Sequence, residues 1–123
     1  MQSRPEIQAA IITDNMHDEQ IFQNKVLRPI IKMKHEFLIA LFKNYIASSK
    51  SPWKELIDLR KIDFIENAFT RDLTFRNVVL GVVIGQFTIQ EYQQYIKIAR
   101  GSNKRINSII KERMISHLDV LSL

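Results

Sequence analysis

The chain contains no cysteine, which removes disulfides, thiolate metal sites and thiol nucleophiles at once. Glycine and proline number three each among 123 residues, below ordinary usage, so a turn-rich β fold would lack its punctuation. Long apolar runs are missing as well. The longest, residues 78–85, is less than half of the ~20 residues needed to span a bilayer. A short patch of Ala9, Ala10, Ile11 and Ile12 follows Arg4, but Pro5, Glu6 and Gln8 interrupt any leader-like core. These absences predict a soluble, cytoplasmic protein with no membrane partner.

Groupings that do chemistry are equally sparse. His17, His35 and His117 are scattered without an HExxH, and a carboxylate-bridged dimetal bundle needs two Glu-x-x-His pairs. Only Asp14 to His17 comes near that spacing. Ser48, Ser49, Ser51 and Ser102 fall in expected turns, and none sits in a G-x-S-x-G elbow. Gly81 and Gly85 lack the lysine of a phosphate loop. The expectation is no catalytic residue, no metal and no cofactor, with the histidines at the surface or an interface. Glu66 and Asn67 read as a solvated helix face, with a buried polar pair as the alternative.

What is present is helical periodicity. With 46% hydrophobic and 25% charged residues, the chain can bury one core, so residues 1–123 are expected to form a single domain. Ser3, Pro5 and Glu6 have capping-box spacing, which predicts a short helix near 4–12, or an arm over 1–13. From about 18 to 48, Val26, Ile30, Met33, Phe37 and Leu41 fall on one line at i+3/i+4 spacing. Leu27, Ile31, Leu38, Phe42 and Tyr45 widen that face to half the circumference. So wide a face predicts a central helix or one shared with a second chain, bent where Pro29 removes a backbone hydrogen bond.

Ser51-Pro52 opens the next helical pattern, which carries Trp53, Leu56, Ile57 and Leu59 and continues to about residue 72. Residues 75–87 are rich in β-branched side chains, yet no second strand exists to pair with them, which favours a buried helix over a strand. Thr88 and Glu91 again have capping-box spacing and open the last pattern, about 88–121. Its apolar face is Tyr92, Tyr95, Ile96 and Ala99, continuing through Ile106, Ile110 and His117. Gly101-Ser102-Asn103 looks like a stop, but the phase carries through it, so one long or slightly kinked helix is expected.

The net charge is +5, with the excess at the two ends. On the last helix Lys97, Arg100, Lys104 and Lys111 share a narrow stripe flanked by Arg105. Basic side chains at this spacing can follow phosphates, and Gln90, Gln93 and Gln94 can read adenine edges. The Thr-capped entry after a glycine-containing turn resembles the second helix of a helix-turn-helix. A charged stripe opposite an apolar face is also what any solvated amphipathic helix shows.

Several stretches, FQNKVLRPI (22–30), FKNYI (42–46), FIENAF (64–69), GQFTIQEY (85–92) and NKRINSIIKERM (103–114), resemble a family of short uncharacterised all-helical bacterial proteins that often carries a glyoxalase label. The resemblance covers most of the chain and implies an all-helical fold. The label implies a βαβββ module with His and Glu metal ligands on strands, and the residues here supply neither. The sequence therefore predicts an all-α helical bundle with two long helices (about 18–48 and 88–121) and two or three shorter ones. Its expected function is that of a small interaction or regulatory module that self-associates or meets another protein. A helix-turn-helix-like nucleic-acid binder is the alternative.

Overall fold

The stretch expected as one helix from 18 to 48 is divided into four pieces that follow one another without a loop: α1 (Asp18–Phe22), a π turn (Gln23–Leu27), α2 (Arg28–Met33) and α3 (His35–Ser48). A computed structural model describes residues 18–123; the expected helix or arm at 1–13, and His17, lie outside that range. Pro29 accounts for the π turn, because it offers no N–H to the ladder and its ring crowds the preceding carbonyls. Widening the turn gives the ring room, and the Arg28 N–H bonds to the Gln23 carbonyl five residues back. At Lys34 the backbone bends to φ −93°, ψ 13°. Hydrogen bonds of 2.9 Å from Lys34 N to Ile30 O and from Leu38 N to Lys34 O nevertheless carry the ladder across. The rod stops at Lys50, whose φ of 59° is left-handed.

A short 3-10 turn (Trp53–Glu55) leads to α4 (Asp58–Arg71) and α5 (Leu73–Ile84). Only Asp72 separates these two helices. It is extended, with φ −92° and ψ 93°, and its Oδ1 accepts the Phe75 N–H at 3.0 Å as an N-cap. Residues 78–84 are therefore helical, and no strand occurs among the described residues.

The last pattern also divides, and this corrects the single helix expected over 88–121. It forms α6 (Ile89–Tyr95), α7 (Ala99–Ile115) and α8 (Leu118–Leu121). The break falls at 96–98, where Ile98 takes φ −132°, ψ 25°, and not at Gly101, which lies inside α7. The turn lets two apolar sets reach the core from different axes. Tyr95 tucks under Phe87 with ring centroids 5.4 Å apart and donates its hydroxyl to Asn103 Oδ1 at 2.6 Å. Ile106, Ile110 and Met114 then point inward from α7. The atoms nearest to a Cβ added at Gly101 would be those of the Glu19 carboxylate, the movable end of a side chain from α1.

α7 is the hub, packing against α4, α5, α8 and the π turn, while α8 also lies on α3. The core has an aliphatic part, with Leu27, Ile30, Ile31, Ile106, Ile110 and Met114 fully buried. Its aromatic part centres on Phe42, with Tyr45, Trp53, Phe64, Phe69 and Phe75 at centroid distances of 5.6, 6.5, 6.2, 5.9 and 5.7 Å. The protein is an all-α helical bundle. Among the described residues, no helix is long and apolar enough to cross a membrane.

Candidate functional site

The break at 96–98 disrupts the basic stripe. Lys97 falls in the turn and leaves the helical phase, so it no longer lines up with the residues of α7. Arg100 and Lys104 stay exposed on one face of α7. Lys111 is partly buried and lies 3.9 Å from Glu112. Arg105 borders a cleft whose other walls are Asp18, Glu19, Gln20, Gln23 and Ile98, so acidic side chains of α1 oppose it. Of the five cations, two remain as an adjacent, open pair. Gln90, Gln93 and Gln94 are all exposed on α6, and the Thr88 box forms in full: Thr88 N–H to Glu91 Oε1 at 2.8 Å, Glu91 N–H to Thr88 Oγ1 at 3.1 Å. α6 itself carries no basic residue and is two turns long.

The association face expected along the first stretch is also redistributed. Val26 and Ile30 belong to the chain's own core, and Met33 and Leu41 are partly covered. Only Phe37, 54% exposed, stands open. Intramolecular packing accounts for this: α7 meets the π turn, and α8 lies along α3. Periodicity shows which face is apolar but cannot show which neighbour covers it.

An open apolar surface appears instead on α6. Ile89 and Tyr92 of α6 and Ile96, its C-cap with still-helical φ −60° and ψ −22°, are 76%, 47% and 55% exposed and recur at i, i+3 and i+7, one side of a helix. Tyr92 and Ile96 were assigned by periodicity to the inward face with Tyr95. Once the helix breaks after Tyr95, the inner face needs only Tyr95, and its neighbours turn outward. Glu66 and Asn67 are exposed, so they form no buried pair.

Two polar groupings join residues distant in sequence. Tyr45 donates its hydroxyl to Asp72 Oδ2 at 2.8 Å. Burial, and then the hydrogen bond to the carboxylate, push the Tyr45 phenol up to about 12. The Phe75 N–H, and then the Tyr45 hydroxyl, hold the Asp72 carboxyl below its ordinary value. Both oxygens of Asp72 are thereby committed to structure. Elsewhere the His35 and His117 rings lie 4.7 Å apart, with Arg113 Nη1 3.2 Å from His35 Nδ1. Among the described residues, no group of three or more His, Cys, Asp or Glu side chains converges as a metal site would require.

No protein-family model, curated protein or solved structure matches the chain.

Proposed function

We propose that the protein is a small cytoplasmic helical interaction module that acts through self-association, with the outer face of α6 as the contact. The observation that carries this reading is the exposed trio Ile89, Tyr92 and Ile96, three large apolar side chains that a free surface would more favourably bury. The stripe holds no charged residue, so a copy of itself can oppose it without like-charge repulsion. A two-fold contact of this kind is the commonest way for a chain to assemble. Exposed Gln90 and Gln93 beside it can supply the polar rim of such a contact.

Light scattering over a concentration series tests the reading. The expected result is a mass above the 14.5 kDa of one chain that falls back to it in Ile89→Glu and Ile96→Glu. A constant monomer mass in the unaltered protein, or assembly indifferent to both substitutions, would remove it.

The nucleic-acid reading rests on Arg100 and Lys104 alone. Its signature is duplex binding with a log–log salt slope of about −0.9 per phosphate neutralised, lost on replacing both residues with alanine.

A further inference from the structure

The His35 and His117 contact stands where three elements meet: the first residue of α3, the last turn of α7, and the residue that introduces α8. Its protonation follows from which groups can donate. A guanidinium has donors only, so the Arg113 Nη1 contact at 3.2 Å requires a lone pair on His35 Nδ1, and the His35 ring is neutral. A carbonyl only accepts, so the 2.7 Å contact between His117 Nδ1 and the Arg113 carbonyl places a proton on His117 Nδ1.

Beyond this junction, α8 is four residues long and makes few attachments. Leu121 enters the core. Ser122 Oγ accepts from Trp53 Nε1 at 3.0 Å and from Lys61 Nζ at 3.0 Å, and donates to the Leu118 carbonyl at 2.9 Å. The histidine pair thus closes one end of α8 against α3, and Ser122 closes the other against the chain's single tryptophan.

We propose that His35, His117 and Arg113 form an acid-sensitive clasp whose protonation frees α8 from α3 and uncovers Trp53 and the apolar surface around it. A proton on His35 Nδ1 replaces the acceptor with a second donor facing Arg113. The charged His35 and Arg113 then place two cations at one junction. The groups facing His35 are Arg113 from α7, His117 from the turn before α8 and Glu36 from its own helix. Glu36 opposes the cations, and it is exposed, as is Asp119 on α8.

Burial first, and then Arg113 and His117, hold His35 below its ordinary value of 6.5. A depressed histidine favours the fold in its neutral form. That contribution is complete above the unfolded value and is lost as pH falls below 6.5 toward the folded one. The clasp is therefore closed at neutral pH and opens in acid.

The test is a titration of Trp53 emission in the full chain from pH 8 to 5, with far-ultraviolet circular dichroism followed in parallel. The expected result is a red shift with a midpoint below 6.5 while the helical signal is retained. In the double variant His35→Asn, His117→Asn, each amide offers the needed acceptor or donor but cannot titrate, so emission stays flat. Arg113→Gln removes the repelling charge, so a protonated His35 strains the closed form less and the opening midpoint moves further below 6.5. Constant emission in the unaltered protein, an equal shift in the double variant, or loss of the helical signal in the same transition would overturn the proposal. Should the double variant not fold, an unmoved midpoint in Arg113→Gln does so as well.

Discussion

The two long helical stretches respond in opposite ways to the residues expected to break them. The first contains Pro29 yet carries its hydrogen-bond ladder on through a π turn and a bend at Lys34. The second contains no proline yet splits at 96–98, three residues before its glycine. The difference lies in what each stretch must bury. Along the first, Phe22, Val26, Leu27, Ile30, Ile31, Leu38, Ile39, Phe42 and Ile46 all face one core, so a shared axis serves them all. In the second, Tyr95 and the Ile106, Ile110 and Met114 set need different axes, and the backbone turns between them. Packing, more than the intrinsic preference of a breaker, decides where these helices end.

That comparison breaks most severely if the first rod loses its aromatic anchor. Phe42→Ala removes the ring around which five others gather, and the expected loss is about 3–5 kcal/mol, read as a lowered denaturation midpoint with unchanged slope. A loss under about 1 kcal/mol would mean that the aromatic cluster can close over the gap. The far end of the same rod is tied down by Tyr45 and Asp72, and its signature is pH. With the Tyr45 phenol raised to about 12, the neutral form favours the fold. Its contribution is complete below pH 10 and is lost as pH rises toward 12. The melting temperature should fall across that window, and Tyr45→Phe should flatten the fall. An identical alkaline slope in that variant would dissociate the tie from stability.

For the second stretch, Thr88→Ala removes the hydroxyl that accepts the Glu91 N–H and is expected to cost about 1 kcal/mol, with amide exchange accelerated in α6 but not in α7. Equal acceleration in both helices would show that the turn at 96–98 does not uncouple them. The smallest effect is the most pointed. Gly101 sits in the first turn of α7, where alanine is better by at most about 1 kcal/mol, and the atoms nearest a new Cβ are the movable end of Glu19. Gly101→Ala should therefore stabilise the protein slightly in thermal melts. A clear destabilisation would mean that the glycine maintains the approach of α1 to α7.

The features legible in the sequence were those set by local chemistry. Periodicity found the helices, and the lack of a partner strand decided residues 78–84. Thr88 and Glu91 announced a cap that forms with both bonds. Tertiary choices were not legible. No residue type marks the turn at 96–98, so periodicity makes the basic stripe continuous and places Tyr92 and Ile96 inward. The face of Val26 and Ile30 reads equally as central or as shared with a second chain, because nothing local shows that α7 and α8 cover that rod. His35 and Arg113 stand 78 residues apart, beyond any spacing rule, although each lies at a helix end, where one contact can join several elements.

The one-residue joint at Asp72 also constrains how chains of this architecture can vary in length. An inserted or deleted residue there would turn α5 by about 100° about its axis. Phe75, Val79 and Val83 would leave the core in either case, an insertion bringing Val78 and Val82 toward it and a deletion Leu80 and Ile84, and the cap on the Phe75 N–H would be lost in the same step. The connection around Ser49 to Pro52 imposes no such phase, since its residues are largely exposed and α4 begins afresh after an extended Ile57. Related sequences should accept insertions before Trp53 and almost none between Arg71 and Leu73, so the spacing between Phe69 and Phe75 becomes a fixed ruler by which distant relatives can be recognised.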